Sequence, residues 1–425
     1  MSPTSGGTGP IGGAASAMRT LSAISIAAVS AALAAPPAIP QFQGFDADFS
    51  AVETEFSAAV DLVAAVGDEV DETLLGDVDL RLDIETITDD GLRWGAVIGF
   101  RAQQDGGRRA LGARTGDCPA GAADCASLGG IAARGLTGGF YTEGAQEDIG
   151  PRAGLETGYL YARSGLGELR LGYGPGAAAL DGEAAESAFR LTRADGALVD
   201  PTGLAGARTL NAASGFAPKL FLRSAAFGQT STIGTVRAAF SWTPEAEGCG
   251  VDVCIHEPTP GGPIAPQLGA VYELAAEYEI SRGLNVFTLN FGAARGDVAS
   301  LAGADDLEAN NASLSWRREA WAGRLAWLRS NNGVLDGDYE AFSASLSYEL
   351  GDWPTAFEAA RYSDDFAHVD GTGFQLGASR LLGEAWILGG GLRYDERESP
   401  ALTGLGRRSE SDEAASAFLE LGWRF

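Results

Sequence analysis

Few residues of this chain could do the chemistry of an enzyme. There are two histidines, His256 and His368, far apart in sequence and both in expected loops. No Gly-x-Ser-x-Gly elbow is present for acyl transfer. The sole lysine, Lys219, is followed by Leu220, so no phosphate-binding Gly-Lys-Ser/Thr loop exists. Gly7-Thr8-Gly9-Pro10-Ile11-Gly12 has the spacing of a dinucleotide loop, but no strand precedes it and the match is read as chance. Four cysteines form two local pairs, Cys118 with Cys125 and Cys249 with Cys254. Neither spacing suits zinc, and only His256 lies near a pair, so the expected chemistry is two disulfides. What remains is electrostatic. Asp79, Arg81 and Asp83 share one face of an alternating segment, and Arg93, Arg101, Arg170 and Arg237 fall on the polar face of others.

The elements that would carry these charges are strands. The last thirteen residues place Phe425, Trp423, Leu421, Leu419, Ala417 and Ala415 on one face. Arg424, Gly422, Glu420, Phe418, Ser416 and Ala414 fall on the other. The same period recurs in Asp77 to Thr88, Gln267 to Ile280 and Tyr339 to Leu350. Turn signals stand at Thr88-Asp89-Asp90-Gly91, Ser164-Gly165-Leu166-Gly167, Ser281-Arg282-Gly283, Gly351-Asp352-Trp353-Pro354 and Leu382-Gly383-Glu384. Long connections are expected near 105–134, 175–215, 243–265 and 395–411. Short turns on one rim and long loops on the other are the asymmetry of a transmembrane barrel. The expected fold is all-β: an antiparallel barrel of about sixteen strands, with fourteen or eighteen left open. Tryptophans and tyrosines at strand ends, such as Trp94, Trp321, Tyr348, Trp386 and Trp423, suit its two interfaces.

Composition agrees. A formal charge of −27 on 425 residues accompanies a mean hydropathy close to zero. A barrel reconciles the two by spreading its apolar band over alternate residues. The charge argues against a nucleic-acid partner. Met18-Arg19-Thr20, the apolar run Leu21 to Leu33 and the site Ala32-Leu33-Ala34 read as a secretory signal peptide over 18–34. Residues 1–17 do not fit in front of it and read as a mis-assigned leader. Residues 35–53 form a mature N-terminal segment, and the barrel occupies 54–425. An acidic loop is expected from Gly67 to Asp77. Acidic stretches such as Asp68 to Glu72 either solvate loops or bind divalent cations that bridge lipopolysaccharide. No other cofactor is expected.

One hairpin carries a family likeness. Tyr159 to Ala178 reads Y-L-Y-A-R-S-G-L-G-E-L-R-L-G-Y-G-P-G-A-A. It resembles the hairpin before the constriction loop of alphaproteobacterial outer-membrane porins, the trimeric general-diffusion family. Ile84-Glu85-Thr86 through Ala96, Arg208 to Asn211 with Ser214-Gly215, and the terminal Phe425 extend the likeness over about 45–425. The two cysteine pairs and the acidic loop depart from it. The resemblance implies a homotrimer in a Gram-negative outer membrane, passing small polar solutes and ions. It implies a third long loop, here about 175–217, folded into each barrel. That loop carries Asp181, Glu183, Glu186, Asp195 and Asp200, with Arg190, Arg193 and Arg208. Its acids would oppose wall arginines chosen from Arg81, Arg93, Arg101, Arg170 and Arg237. The alternative is that these arginines pair with neighbouring wall acids such as Asp79 and Asp83. Phe425 would serve as the signal read by the barrel-assembly machinery. A substrate-selective channel and a structural or adhesive barrel remain alternatives.

Overall fold

The computed structural model describes residues 52–68, 70, 74–89, 91–104, 135–140, 152–180, 187–215, 217–230, 233–246, 267–299, 305–403 and 406–425. Every described residue belongs to one compact unit, Ala51–Phe425. The leader, the signal segment and most of 35–53 therefore lie outside the described residues. So do both expected disulfides, because Cys118, Cys125, Cys249 and Cys254 all fall outside them. His256, near the second pair, falls outside as well.

Alternation becomes a closed antiparallel barrel of sixteen strands with almost no helix. The strands are β1 (Glu53–Gly67), β2 (Leu74–Ile87), β3 (Arg93–Gln104), β4 (Arg152–Ser164) and β5 (Gly167–Tyr173). One helical turn, α1 (Ala177–Leu180), follows β5. Next comes β6, formed by Pro218–Ser224 and Phe227–Thr230. Both pieces pair with β7 (Gly234–Thr243), so they form one strand interrupted at Ala225-Ala226. The rest are β8 (Gln267–Arg282), β9 (Asn285–Ala299), β10 (Leu307–Arg318), β11 (Trp321–Ser330) and β12 (Tyr339–Leu350). The last four are β13 (Trp353–Asp364), β14 (Val369–Leu382), β15 (Trp386–Thr403) and β16 (Gly406–Arg424). Each pairs with the next, and β16 returns to β1 with Val60 opposite Trp423 and Leu62 opposite Leu421. That closure leaves neither strand with a free edge over its paired length.

Period two sorts the two faces. Leu274, Leu325, Leu392 and Leu419 are each about 60% exposed on the outer face. Asp61, Glu273, Glu358 and Gln375, on the opposite face of their strands, are at most 1% exposed. A soluble protein would not leave such an apolar belt open to water, whereas a membrane barrel requires it. Aromatic residues gather at the short-turn rim. The Trp321 and Tyr348 rings lie 4.5 Å apart, and Trp386 is paired opposite Trp423. Among the described residues no helix is long and apolar enough to cross a membrane.

The short turns sit where the turn residues predict them. Gly351 has φ +62°, in the left-handed region that a side chain resists, and lets β12 reverse into β13. Two expectations fail. The connection expected over 395–411 is strand: β15 and β16 stay paired from Trp386–Trp423 to Thr403–Gly406. The run Asp395-Glu396-Arg397-Glu398-Ser399 has no apolar residue, so period two vanishes there while the backbone ladder continues. The acidic loop expected from Gly67 to Asp77 is also shorter. β2 begins at Leu74, and Asp77 is a buried wall residue opposite Asp61.

Candidate functional site

The candidate site is the segment between β5 and β6. Asp181, Glu183 and Glu186 lie outside its described residues. From Ser187 to Gly215 the chain has no regular structure, so its backbone groups need partners elsewhere. They find them on residues of the barrel strands. Glu420 of β16 accepts the backbone N–H groups of Arg190 (2.8 Å), Leu191 (3.2 Å) and Thr192 (3.2 Å). Glu358 of β13 accepts Ala194 N–H (3.0 Å) and Ser187 Oγ (2.6 Å). Gln375 of β14 donates to Thr192 O at 2.9 Å. Arg393 and Arg397 of β15 donate to Arg193 O and Gly203 O, both at 2.8 Å. The Tyr339 hydroxyl accepts Arg208 N–H at 2.8 Å and donates to Gly206 O at 2.9 Å. Tyr362 Oη donates to Leu204 O at 3.0 Å, and Asn211 Nδ2 to Ala309 O at 3.1 Å. On β3, Gln103 donates to Leu198 O.

Apolar contacts complete the seat. Phe189 meets Phe418 edge-on with ring centroids 4.8 Å apart. A Cβ on Gly377 or Gly389 would collide with the Phe189 ring, so these bare backbones make its slot. Leu191 and Val199 pack with Val63, Leu75 and Phe418. On the other side Phe140 stacks on Tyr362 at 5.3 Å, in a cluster with Ala194, Ala207, Leu328 and Val369. Phe140 belongs to a second segment, 135–140, from the β3–β4 connection. Thr137 and Gly138 give their N–H groups to Asn332 Oδ1 at 3.0 and 2.9 Å, and Thr137 Oγ1 donates to Ser330 Oγ at 2.7 Å. The sequence reading did not assign 135–140 to the site; its only signal was the run Gly135-Leu136-Thr137-Gly138-Gly139-Phe140.

The charges are arranged differently from the expectation of acids on the loop and arginines on the wall. Arg190 reaches three wall acids: Asp61, Asp77 (2.6 Å) and Asp79 (3.3 Å). Burial disfavours its charge, but Asp77 and Asp61 outweigh that and hold its pKa above the ordinary arginine value. Arg193 is held below that value by burial, which its neighbouring carboxylates only partly offset. The two described loop acids are buried and engaged. Asp195 accepts Thr209 N–H (2.9 Å) and Ser343 Oγ (2.6 Å). Asp200 accepts Thr202 Oγ1 (3.0 Å) and Ala205 N–H (2.8 Å). Arg208 is half-buried and held through its backbone N–H on Tyr339.

Each wall arginine singled out from sequence has an acid beside it. Arg101 is buried on Asp77 at 2.6 Å, Arg93 meets Glu85 at 3.3 Å, and Arg81 meets Asp83 at 3.7 Å. Arg170 binds Glu168 and Arg237 binds Glu277. The neighbour-pairing alternative therefore describes the geometry. Asp61, Glu358, Gln375, Arg393 and Glu420 were missed as loop-holding residues. Alternation places them on the inner face, but only their height beside the segment gives them that role. Among the described residues no group of three His, Cys, Asp or Glu side chains could hold a metal ion.

The arrangement ties an irregular segment to side chains and backbone of β1–β3, β10 and β12–β16, through charge and dry apolar contact. No protein-family model and no curated protein matches this sequence. Solved structures do. The chain is similar to Pseudomonas putida OprB at 8% identity and a TM-score of 0.54, covering 88% of this chain and 94% of that one. It is similar to the in-vitro folded trimer form of Vibrio cholerae OmpT, an outer-membrane protein, at 11% identity and a TM-score of 0.51, covering 88% and 100%. An anion-selective porin from Comamonas acidovorans aligns at 12% identity and a TM-score of 0.49, covering 88% and 100%. The chain thus shares its closed sixteen-stranded barrel fold with the Vibrio outer-membrane protein and with OprB.

Proposed function

We propose that this chain is an outer-membrane porin. It forms a water-filled channel for passive diffusion of small hydrophilic solutes and ions, and residues 187–215 lie inside the barrel as its constriction. One observation carries this reading. The segment bonds to inner-face side chains on strands spread around the barrel, from Gln103 on β3 through Tyr339 on β12 to Glu420 on β16. That spread of partners supports a place for the segment within the lumen. A narrowed aqueous path then runs beside it, lined in part by the paired charges of β2 to β8.

General diffusion is favoured over a sugar-selective channel by the place of Phe189. Its ring is buried against Phe418, so it offers no stacking surface to a passing sugar. The chain resides in the outer membrane of a Gram-negative bacterium, reached through the signal peptide at 18–34. It assembles as a homotrimer, a reading favoured by the trimer form of the Vibrio protein. Lipopolysaccharide and the barrel-assembly machinery are its other partners, the latter through Phe425. Two disulfides, Cys118 with Cys125 and Cys249 with Cys254, close its cysteine-bearing loops.

Liposome swelling across solutes of graded size tests the function. The expected result is a rate that falls smoothly with solute size. Strong discrimination between sugar stereoisomers of one size would point to a selective channel. No swelling from liposomes carrying folded protein would leave a structural barrel.

A further inference from the structure

Lys219 is the sole lysine in a chain with 30 lysines and arginines together. It sits in β6, buried, and its ammonium has three N–H bonds to give. Three oxygens take them: Gly174 O at 2.6 Å, Gly215 O at 2.7 Å and Ser214 Oγ at 2.8 Å. Gly174 is the first residue beyond β5, where the chain leaves the wall. Ser214 and Gly215 lie just before β6, where it returns. One cation thus ties both ends of a long excursion together.

Glu273 of β8 braces the same neck. It accepts Ser214 N–H at 3.1 Å and Ser241 Oγ at 2.6 Å. Ser241 Oγ in turn accepts the N–H of Ala177 at 2.9 Å, at the start of α1. A Cβ on Gly176 would overlap the Glu273 carboxylate, so the exit strand passes flush against it. Lys219 is suited to the place because a compact ammonium can aim three donors at three converging oxygens. The planar fork of arginine cannot. None of these contacts involves the far anchors of the segment at Arg190, Asp195 or Phe189.

We propose that Lys219 is a positioning residue that clamps the neck of the 174–217 excursion and so holds the pore at a single width. The inference rests on the pore reading above. Replacing the ammonium by an apolar group of similar reach leaves the carbonyls of Gly174 and Gly215 and the Ser214 hydroxyl without their donor, and Glu273 without the opposite charge beside it. The root of the segment then gains alternative positions while the far anchors persist.

The test is single-channel recording of wild type, Lys219→Met and Lys219→Arg in planar bilayers. Heat-modifiable migration on gels confirms that each barrel is folded. Wild type is expected to show a single unitary level, repeated as one equal step per protomer. Lys219→Met is expected to lose it, giving several levels, greater open-channel noise and closure at lower voltage. Lys219→Arg should fall between them. A folded Lys219→Met barrel with the level, noise and closure voltage of wild type overturns the proposal. If that variant does not insert, the wild-type channel is treated with acetic anhydride after insertion and the acetylated sites are mapped by mass spectrometry. Loss of the single level in step with Lys219 acetylation supports the clamp, because the chain has no other side-chain amine. An unchanged level with Lys219 acetylated overturns it. A wild-type barrel that conducts nothing overturns the pore reading and this inference with it, whereas an unchanged variant in a conducting background overturns this one alone.

Discussion

Arg190 is the residue on which the electrostatics of the site turn. Its guanidinium meets Asp61 and Asp77, both shielded from water, and each of those acids keeps a second arginine: Arg424 at 2.8 Å and Arg101 at 2.6 Å. Removing one partner of a buried pair costs about 3–5 kcal/mol when the survivor is left unpaired. Because both acids here retain a partner, Arg190→Met should cost less, roughly 2 kcal/mol on the same reasoning. Urea unfolding in detergent checks this, and an unchanged midpoint would contradict the assigned role. The pH dependence follows from the direction of the shift. A pKa raised on folding contributes stability that is complete below the unfolded value and is lost only as pH climbs through the folded one. For an arginine both lie far on the alkaline side of neutrality. The Arg190 anchor should therefore persist from neutral to about pH 10. Melting temperatures of wild type and Arg190→Met across that range should run parallel. Converging curves would show that another group carries the anchor.

At the scale of elements, alternation made most strands legible, and the exceptions have physical causes. Tyr339–Leu350 reads as a strand from sequence because one face meets lipid and the other meets serine-rich lumen. Residues 395–411 did not, because the charged run from Asp395 to Ser399 has no hydrophobic period. The site was legible only as a list of inward residues. Glu420 and Glu358 share the inner face with many other polar groups, and alternation carries no height. The apolar seat was hidden more deeply. Phe418 is the one large apolar residue on the polar face of the closing strand, and its partner Phe189 comes from a segment without period. That seat gives a second expectation. Phe189→Ala empties the slot made by Gly377 and Gly389 and should cost about 3 kcal/mol, at the low end for a buried phenylalanine. It should also loosen the segment from β16, raising its cleavage by protease added to the folded barrel. Wild-type cleavage rates would contradict the latch.

For the whole molecule, closure is the decisive event. Phe425 N–H and O both bond to Ala58 at 3.0 Å, and its ring is 70% exposed beside Trp423 and Phe56. Losing it removes two hydrogen bonds at the rim and no side chain from the inner face. Deletion of Phe425 should therefore impair insertion far more than conductance per inserted channel. Cell fractionation beside single-channel recording measures both, and normal insertion would contradict the assembly role. The formal charge of −27 favours cations near the pore mouths, while the wall arginines Arg93, Arg101 and Arg237 each have an acid beside them. A weak cation preference in salt-gradient reversal potentials is expected, and a clear anion preference would refute it.

The central claim is that residues 187–215 narrow an aqueous channel. Polymer exclusion on single-channel conductance tests it most directly, comparing wild type with a folded Arg190→Met, Phe189→Ala double variant. The expected result is a conducting wild type that excludes small polymers, and a variant with higher conductance that admits larger ones. An equal cut-off in both, or a wild type that does not conduct, would contradict the account.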